Sequence, residues 1–389
     1  MNYLYIQIKG SSNDMLWSLL EMKINVSMYD SSIFDPNQPI EDDLQALERF
    51  LISNNFDCII SYLFMPEISE ICNHYHYKYI GWVYDSPLIT LYNRSVQNEC
   101  NHLFIFDRAE YNRMLSWNIP HLYYLPLGTN ISRTSALNIS SKDERAFTCD
   151  ISFIGGLYEN NAYNTYIQAL PEDIANELKV YLIHNLCNWS KPKPWPRVSK
   201  KTTDYMIQLF QADAWKCQDM ELDQYLGLLL LSRKLAEMDR ITVLNTLAEQ
   251  FTVQLYTHST TNFLQNVHIH PGVDYSTDMS KIFYLSKINL NVTLPSIESG
   301  LPQRIFDIMG SGGFVLTNYQ SEIDEYFAIG KEIEVFRDLE ELKDKTAYYL
   351  THEQQRLKIA INGYQKVRDH FSYLHQMKYI LQTIGEDIH

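Results

Sequence analysis

The stretch PSIESGLPQRIFDIMGSGGFVLTN, Pro295 to Asn318, concentrates residues able to hold a phosphorylated ligand. Its polar turn carries Glu298, Ser299 and Gly300, and Leu301 leads into an apolar helix containing Arg304 and Asp307. Residues three apart share a helix face, so base and acid stand side by side near the first turns. A guanidinium pairs bidentately with a diphosphate, and a carboxylate can accept two ribose hydroxyl hydrogens. Gly310, Gly312 and Gly313 then stop the helix before the buried strand FVLT. An internal Arg–Asp pair with an ordinary glycine stop accounts for the same residues without any ligand.

Other stretches carry weaker versions of the same chemistry. In SFIGGLYEN a buried strand runs into Gly155-Gly156. Paired glycines let backbone approach a phosphate, and a helix starting there would add free N–H groups. The GxGxxG dinucleotide fingerprint is missing. Arg240, early in the helical pattern DRITVLNTLAEQ, is a second phosphate cation or a solvated helix residue. Pro271, Gly272 and Val273, in HPGVDY, end a strand and by themselves read as a plain Pro-Gly turn. Asp85, in DSP after GWVY, is an acid at a strand end, placed to orient or deprotonate an acceptor hydroxyl. Asp107-Arg108 reads equally as a structural pair, and the loop Trp189–Lys201 as a solvated surface or a sugar-binding one. His74 and His76, and His268 and His270, are spaced by two without a third ligand, so no metal site is expected.

These residues need elements to position them. The 389 residues allow two domains of ordinary size, and 46% hydrophobic residues allow a sizeable core. A net charge of -15 disfavours a sequence-independent grip on nucleic acid, which needs clustered cations. Cys58, Cys72, Cys100, Cys149, Cys187 and Cys217 form no CxxC pattern, as expected of thiols in a reducing compartment. The start lacks signal-peptide character and no apolar run reaches membrane-spanning length, so a cytoplasmic protein is expected.

Strands alternate with helices through the first ~145 residues, which predicts a mainly parallel sheet covered on both faces. Thr129–Phe147, polar and turn-rich, reads as a linker or a domain edge. Strand CDISFIGG opens a second half, a helical stretch follows to about Gln250, and the alternation then resumes. Two helices close the chain, Leu339–Asp369 (broken near Thr351) and Tyr373–Ile384. The expected fold is α/β with two doubly wound halves, which bind ligands at the carboxyl ends of their strands.

Gly300-Leu301, Asp307-Ile308-Met309 and Gly312 resemble the donor-binding helix of GT-B glycosyltransferases. Closer still is a resemblance to the CgeB-like, spore-maturation-type family. It runs through Trp82–Pro87, Phe104–Arg108, Tyr124–Leu127, Asp150–Gly156, Gly300–Asn318 and Asn362–Leu381. Where the large retaining group places its first acid, this chain has Ser299 with Glu298 beside it, and Asp307 replaces the usual Glu.

The resemblance implies two Rossmann-like domains facing a cleft. They would be an acceptor-side domain at 1–147 and a nucleotide-sugar domain at 148–370 with a helical insert at about 162–239. The last helix, 371–389, would return to the first domain. It implies a nucleoside-diphosphate-sugar co-substrate, a UDP-sugar foremost, with no metal and no other cofactor. Gly155, Gly156, Arg240 and Arg304 would hold the diphosphate, Asp307 the ribose and Pro271–Val273 the base. The partner would be a protein or glycan acceptor. A sugar-nucleotide epimerase, or a nucleotide-sugar-binding protein without turnover, would fit the same plan.

Overall fold

The computed structural model describes residues 2–31, 40–135, 137–191, 198–209, 220, 225 and 227–385. They form two compact units, each built on a six-stranded parallel sheet.

The first unit runs to Asn130 and takes up the chain again from Phe371. Its strands are β1 (Asn2–Ile8), β2 (Asn25–Ser31), β3 (Cys58–Tyr62), β4 (Lys78–Val83), β5 (Asn101–Ile105) and β6 (Leu122–Tyr124), in the order β2-β1-β3-β4-β5-β6. Every residue of β3 and β5 is buried, as expected of central strands covered on both faces. The closing helix, Tyr373–Thr383, packs on helix Asp14–Glu21 of this unit. Tyr373 meets Trp82 edge-on at 5.1 Å. Thr129 and Ser372 pair as a short parallel bridge, with the Thr129 amide donating to the Phe371 carbonyl at 2.9 Å.

The second unit runs from Ile131 to His370. Its strands are β7 (Cys149–Ile154), β8 (Val253–Thr257), β9 (His268–Pro271), β10 (Ser286–Asn291), β11 (Val315–Asn318) and β12 (Glu334–Phe336). The order β12-β11-β10-β7-β8-β9 is that of a dinucleotide-binding sheet, with its reversal between β7 and β10. Ile151, Phe153, Leu255, Ile288, Leu290 and Leu316 fill the core between this sheet and its helices.

Three expectations need correction. Thr129–Phe147 is not a bare linker. It contains helices Ile131–Ser135 and Ser141–Phe147, the second begun by a capping box in which Ser140 and Asp143 satisfy each other's backbone N–H. Polar composition there marks capped surface helices. No helix starts directly after Gly155-Gly156; the chain turns through Tyr158 at φ 62 and enters helix Ala162–Tyr166 only after Asn161 has capped it. Arg240 lies in the middle of a longer helix, Arg233–Ala248, and is 8% exposed, so it is not a solvated residue.

Of the insert, helices Ala162–Tyr166, Glu172–Asn185 and Lys200–Leu209 are described, together with a π-helical turn at Gly227–Ser232. Residues 192–197 of the Trp189–Lys201 loop, and Cys217, lie outside the described residues. Among the described residues no helix is long and apolar enough to cross a membrane.

Candidate functional site

The reversal of strand order leaves a crevice at the carboxyl ends of β7 and β10, because the connections from those strands leave to opposite sides. The Arg240 guanidinium spans it. Its Nη1–H donates to the Gly156 carbonyl just after β7, and its Nη2–H donates to the Val292 carbonyl just after β10, the latter at 2.8 Å. It also stacks on Tyr158, 4.6 Å from the ring centroid. Burial pushes its pKa down, and neighbouring Arg304 acts in the same direction.

One helical turn before Arg240, buried Glu237 accepts from Asn161 and Asn164 at 2.8 and 2.9 Å. The Leu157 amide donates to Ser259 Oγ at 2.8 Å. Residues 155–161 are thus pinned from both sides, which holds Tyr158 in a left-handed conformation that non-glycine residues rarely adopt.

Beside this loop lies a pocket of about 410 Å³. Gly155, Gly156, Tyr158, Glu159, Val273 and Arg304 are among its lining residues, with Tyr256 of β8 and with His258, Ser259 and Gly272 just past β8 and β9. A Cβ on Gly156 would come no closer than 3.7 Å to any neighbouring atom, so the protein's own packing does not demand glycine there. A methyl would instead occupy pocket space. Gly156→Ala is therefore expected to keep its stability within about 0.5 kcal/mol and to weaken several-fold any ligand held against that backbone. Chemical denaturation and calorimetry on one preparation check both halves.

Arg304 enters from helix Gln303–Gly310, whose Ile305, Phe306, Ile308 and Met309 are buried. The helix ends at Gly312, with φ 78, and the Gly313 amide returns to the Ile308 carbonyl at 3.0 Å. The Arg304 guanidinium contacts the Met279 sulfur and stands 5.4 Å from the Phe283 ring centroid; among the described residues it forms no ion pair. Burial lowers its pKa, Asp307 counteracts this, and Arg133 adds to the lowering.

Asp307 does not pair with Arg304, although it lies three residues further along the same helix. Its Oδ1 accepts from Arg133 Nη2, the Tyr275 hydroxyl and Gln303 Nε2, each at 3.3 Å. An internal Arg304–Asp307 pair therefore does not explain this helix.

The remaining candidates fall elsewhere. Pro271 is exposed at the end of β9, paired with Thr257 of β8. Glu298 borders a smaller pocket with Trp189, Lys191 and Asn318. Ser299 donates to Glu322 at 2.7 Å, the Gly300 carbonyl accepts from Gln320, and Leu301 is core. Tyr181 of the insert has its pKa pushed up to about 12 by burial, with the charge of Glu298 adding to it. Asp85 is exposed in the first unit, two residues past β4. Ser86 donates to Asp107 at 2.7 Å, and Asp107 also caps helix Arg108–Met114, so the structural reading holds for Asp107.

His270 stacks on Tyr256 at 4.8 Å and bonds Gln254. His74 ends a helix that His76 caps in the left-handed region, so that pair does not share a strand face. Among the described residues no group of three or more His, Cys, Asp or Glu side chains comes together.

Arg133, Tyr158 and Tyr275 escaped the sequence reading. Arg133 sits in the supposed linker, Tyr275 two residues past Val273, and Tyr158 two past Gly156. Proximity to a motif was the available signal for the two tyrosines, and none existed for Arg133.

Residues 236–382, from the Arg240 helix to the closing helix, match the family described as glycosyl transferase-like. A comparison with curated protein sequences finds no match. Several solved structures share the fold over nearly the whole chain. Sucrose-phosphate synthase from Thermosynechococcus elongatus matches with TM-score 0.54 and 10% identity, covering 99% of both chains. Anabaena HepE, solved in complex with UDP-glucose, matches with TM-score 0.52 and 9% identity over 99% of both chains. T4 phage BGT, solved with its UDP-glucose substrate, gives TM-score 0.52 and 9% identity over 99% of this chain and 100% of that one. At these identities the likeness establishes the GT-B fold.

Proposed function

We propose that this chain, a glycosyltransferase-type protein of GT-B fold, moves a sugar from a nucleoside-diphosphate-sugar to an acceptor hydroxyl without a metal ion. The observation that carries this reading is a pair of neighbouring guanidiniums, buried Arg240 and half-buried Arg304, neither ion-paired among the described residues, beside the Gly155-Gly156 pocket. Two guanidiniums at one pocket, Arg304 in its lining and Arg240 behind the glycine loop, suit a diphosphate, with Glu159 the acid on the same wall. The UDP-glucose complexes of Anabaena HepE and T4 phage BGT support a UDP-sugar as donor. The motifs Trp82–Pro87 and Asn362–Leu381 support placement in the CgeB-like group.

In this reading Arg240 and Arg304 stabilise the charge that grows on the diphosphate as the sugar–phosphate bond breaks. Asp307 receives the ribose, and Pro271–Val273 the base. Glu298, Ser299 and Gly300 form the sugar-side turn. Asp85 orients or deprotonates an acceptor hydroxyl of protein or surface glycan. The described cysteines are free thiols, which supports a reducing, cytoplasmic setting.

A thermal-shift screen over nucleoside diphosphates and their sugars tests the reading, since a ligand that binds only the folded state raises apparent stability. UDP and a UDP-sugar are expected to raise the melting temperature; a flat response to every diphosphate would sink the proposal. Incubation with donor alone then separates transfer from epimerisation, which consumes donor without acceptor. Transfer is also expected to keep its rate in chelator, because the two guanidiniums supply the charge a metal would. Loss of activity in chelator, restored by magnesium or manganese, would refute that part.

A further inference from the structure

Asp307 has a guanidinium on either side of it, and its choice of partner decides what the other can do. Arg304 is three residues away on the same helix, the spacing at which acid and base normally meet. The carboxylate nevertheless takes Arg133, which arrives from helix Ile131–Ser135.

Tyr275 makes that choice firm. Its ring lies under the Arg133 guanidinium, 4.0 Å from Cζ to centroid. Its hydroxyl accepts from Arg133 Nη2 at 2.7 Å, and its carbonyl accepts from Nη1 at 3.3 Å. The Arg133 and Asp307 side chains are 5% and 3% exposed, so neither charge is offset by water. Arg304, spared this pairing, lines the pocket with the Met279 thioether and the Phe283 ring against it.

We propose that Arg133 is a positioning residue for the diphosphate site: by neutralising Asp307 it leaves the Arg304 guanidinium available to the ligand. The inference rests on the reading above, that the pocket takes a nucleoside diphosphate. Charge counting supports it. Arg133 and Asp307 offset each other, which leaves Arg304 as the guanidinium in the pocket's lining, where Glu159 is the acid. Without Arg133, the buried carboxylate would draw in Arg304, on which its charge already acts, and the pocket would lose the guanidinium in its lining. Tyr275 and Gln303 cannot substitute, because neither carries a charge.

The test uses inorganic pyrophosphate, which has no ribose and so makes no use of Asp307, alongside UDP. Affinities are measured for the native chain, Arg133→Met, Arg133→Lys, Asp307→Asn and Arg133→Met/Asp307→Asn, with a melting curve for each. Arg133→Met is expected to bind both ligands on the order of tenfold more weakly, the loss of about one charge-assisted contact. Removing the carboxylate as well should release Arg304, so the double variant regains pyrophosphate affinity to within about twofold of native. Arg133→Lys, which keeps the charge, should stay near native and guards against a fold defect in the methionine variant. A merely structural Arg133 would lower the melting temperature and gain nothing from Asp307→Asn. Native pyrophosphate affinity in Arg133→Met, or a double variant no better than the single, overturns the proposal. A native chain that binds neither UDP nor pyrophosphate overturns the nucleotide reading beneath it, and this shows before any substitution is made.

Discussion

Arg304→Ala is expected to bind UDP about 10- to 100-fold more weakly while melting at the temperature of the native chain. The binding loss is that of one charge-assisted contact to a covered anion, about 1.5–3 kcal/mol. Stability should hold because the guanidinium leaves little behind when removed. Its neighbours are a methionine sulfur and a phenylalanine ring, neither of which needs it as a hydrogen-bond partner. Helix Gln303–Gly310 is anchored instead by Ile305, Phe306, Ile308 and Met309. Arg240→Ala makes the contrast: it strips the Gly156 and Val292 carbonyls of their donors and should lower stability and affinity together. Calorimetry with UDP and a melting curve on each variant decide the matter. An Arg304→Ala protein with native UDP affinity would remove this residue from the diphosphate site.

The second large effect is on transfer. Asp85→Asn is expected to cut the rate of sugar transfer by about 100-fold or more, the range for losing a general base, while UDP affinity stays within about twofold. Asp85 is exposed where β4 gives way to the Ser86-Pro87 turn, and that turn is held from below by the Ser86 bond to Asp107. Burial pushes the neighbouring Tyr84 hydroxyl up to about 12, with the negative charge of Asp85 adding to the shift. UDP binding should be spared because Arg240, Arg304 and the Gly155-Gly156 loop all belong to the second unit. A residue that only shapes the turn would lower the melting temperature and spare turnover per folded molecule. Native transfer by a folded Asp85→Asn protein would exclude it from the reaction.

The twelve strands were legible before any coordinates. Short apolar runs bounded by polar turns, such as CIISY and NHLFI, have few alternatives when helical patterns separate them. Gly155-Gly156, Gly272, Val273 and Arg304 were also singled out from sequence and share one pocket. Gly155-Gly156 follows β7 and Gly272-Val273 follows β9, and the carboxyl ends of a parallel sheet's strands all open on the same edge, where ligands bind.

What the sequence determined by itself was therefore the list of strands, their alternation with helices, and the glycine and arginine motifs at their ends, since these depend on local periodicity and local turn chemistry. Tertiary structure alone decided which partner each charge takes. Spacing along helix Gln303–Gly310 pointed to Arg304 for Asp307, yet Arg133, 174 residues earlier in the chain, holds it instead. Helix geometry specifies only which side chains can meet within one element. Burial beside Tyr275 then makes the contact from outside the stronger one, because a covered carboxylate gains most from a cation whose remaining N–H groups are also satisfied.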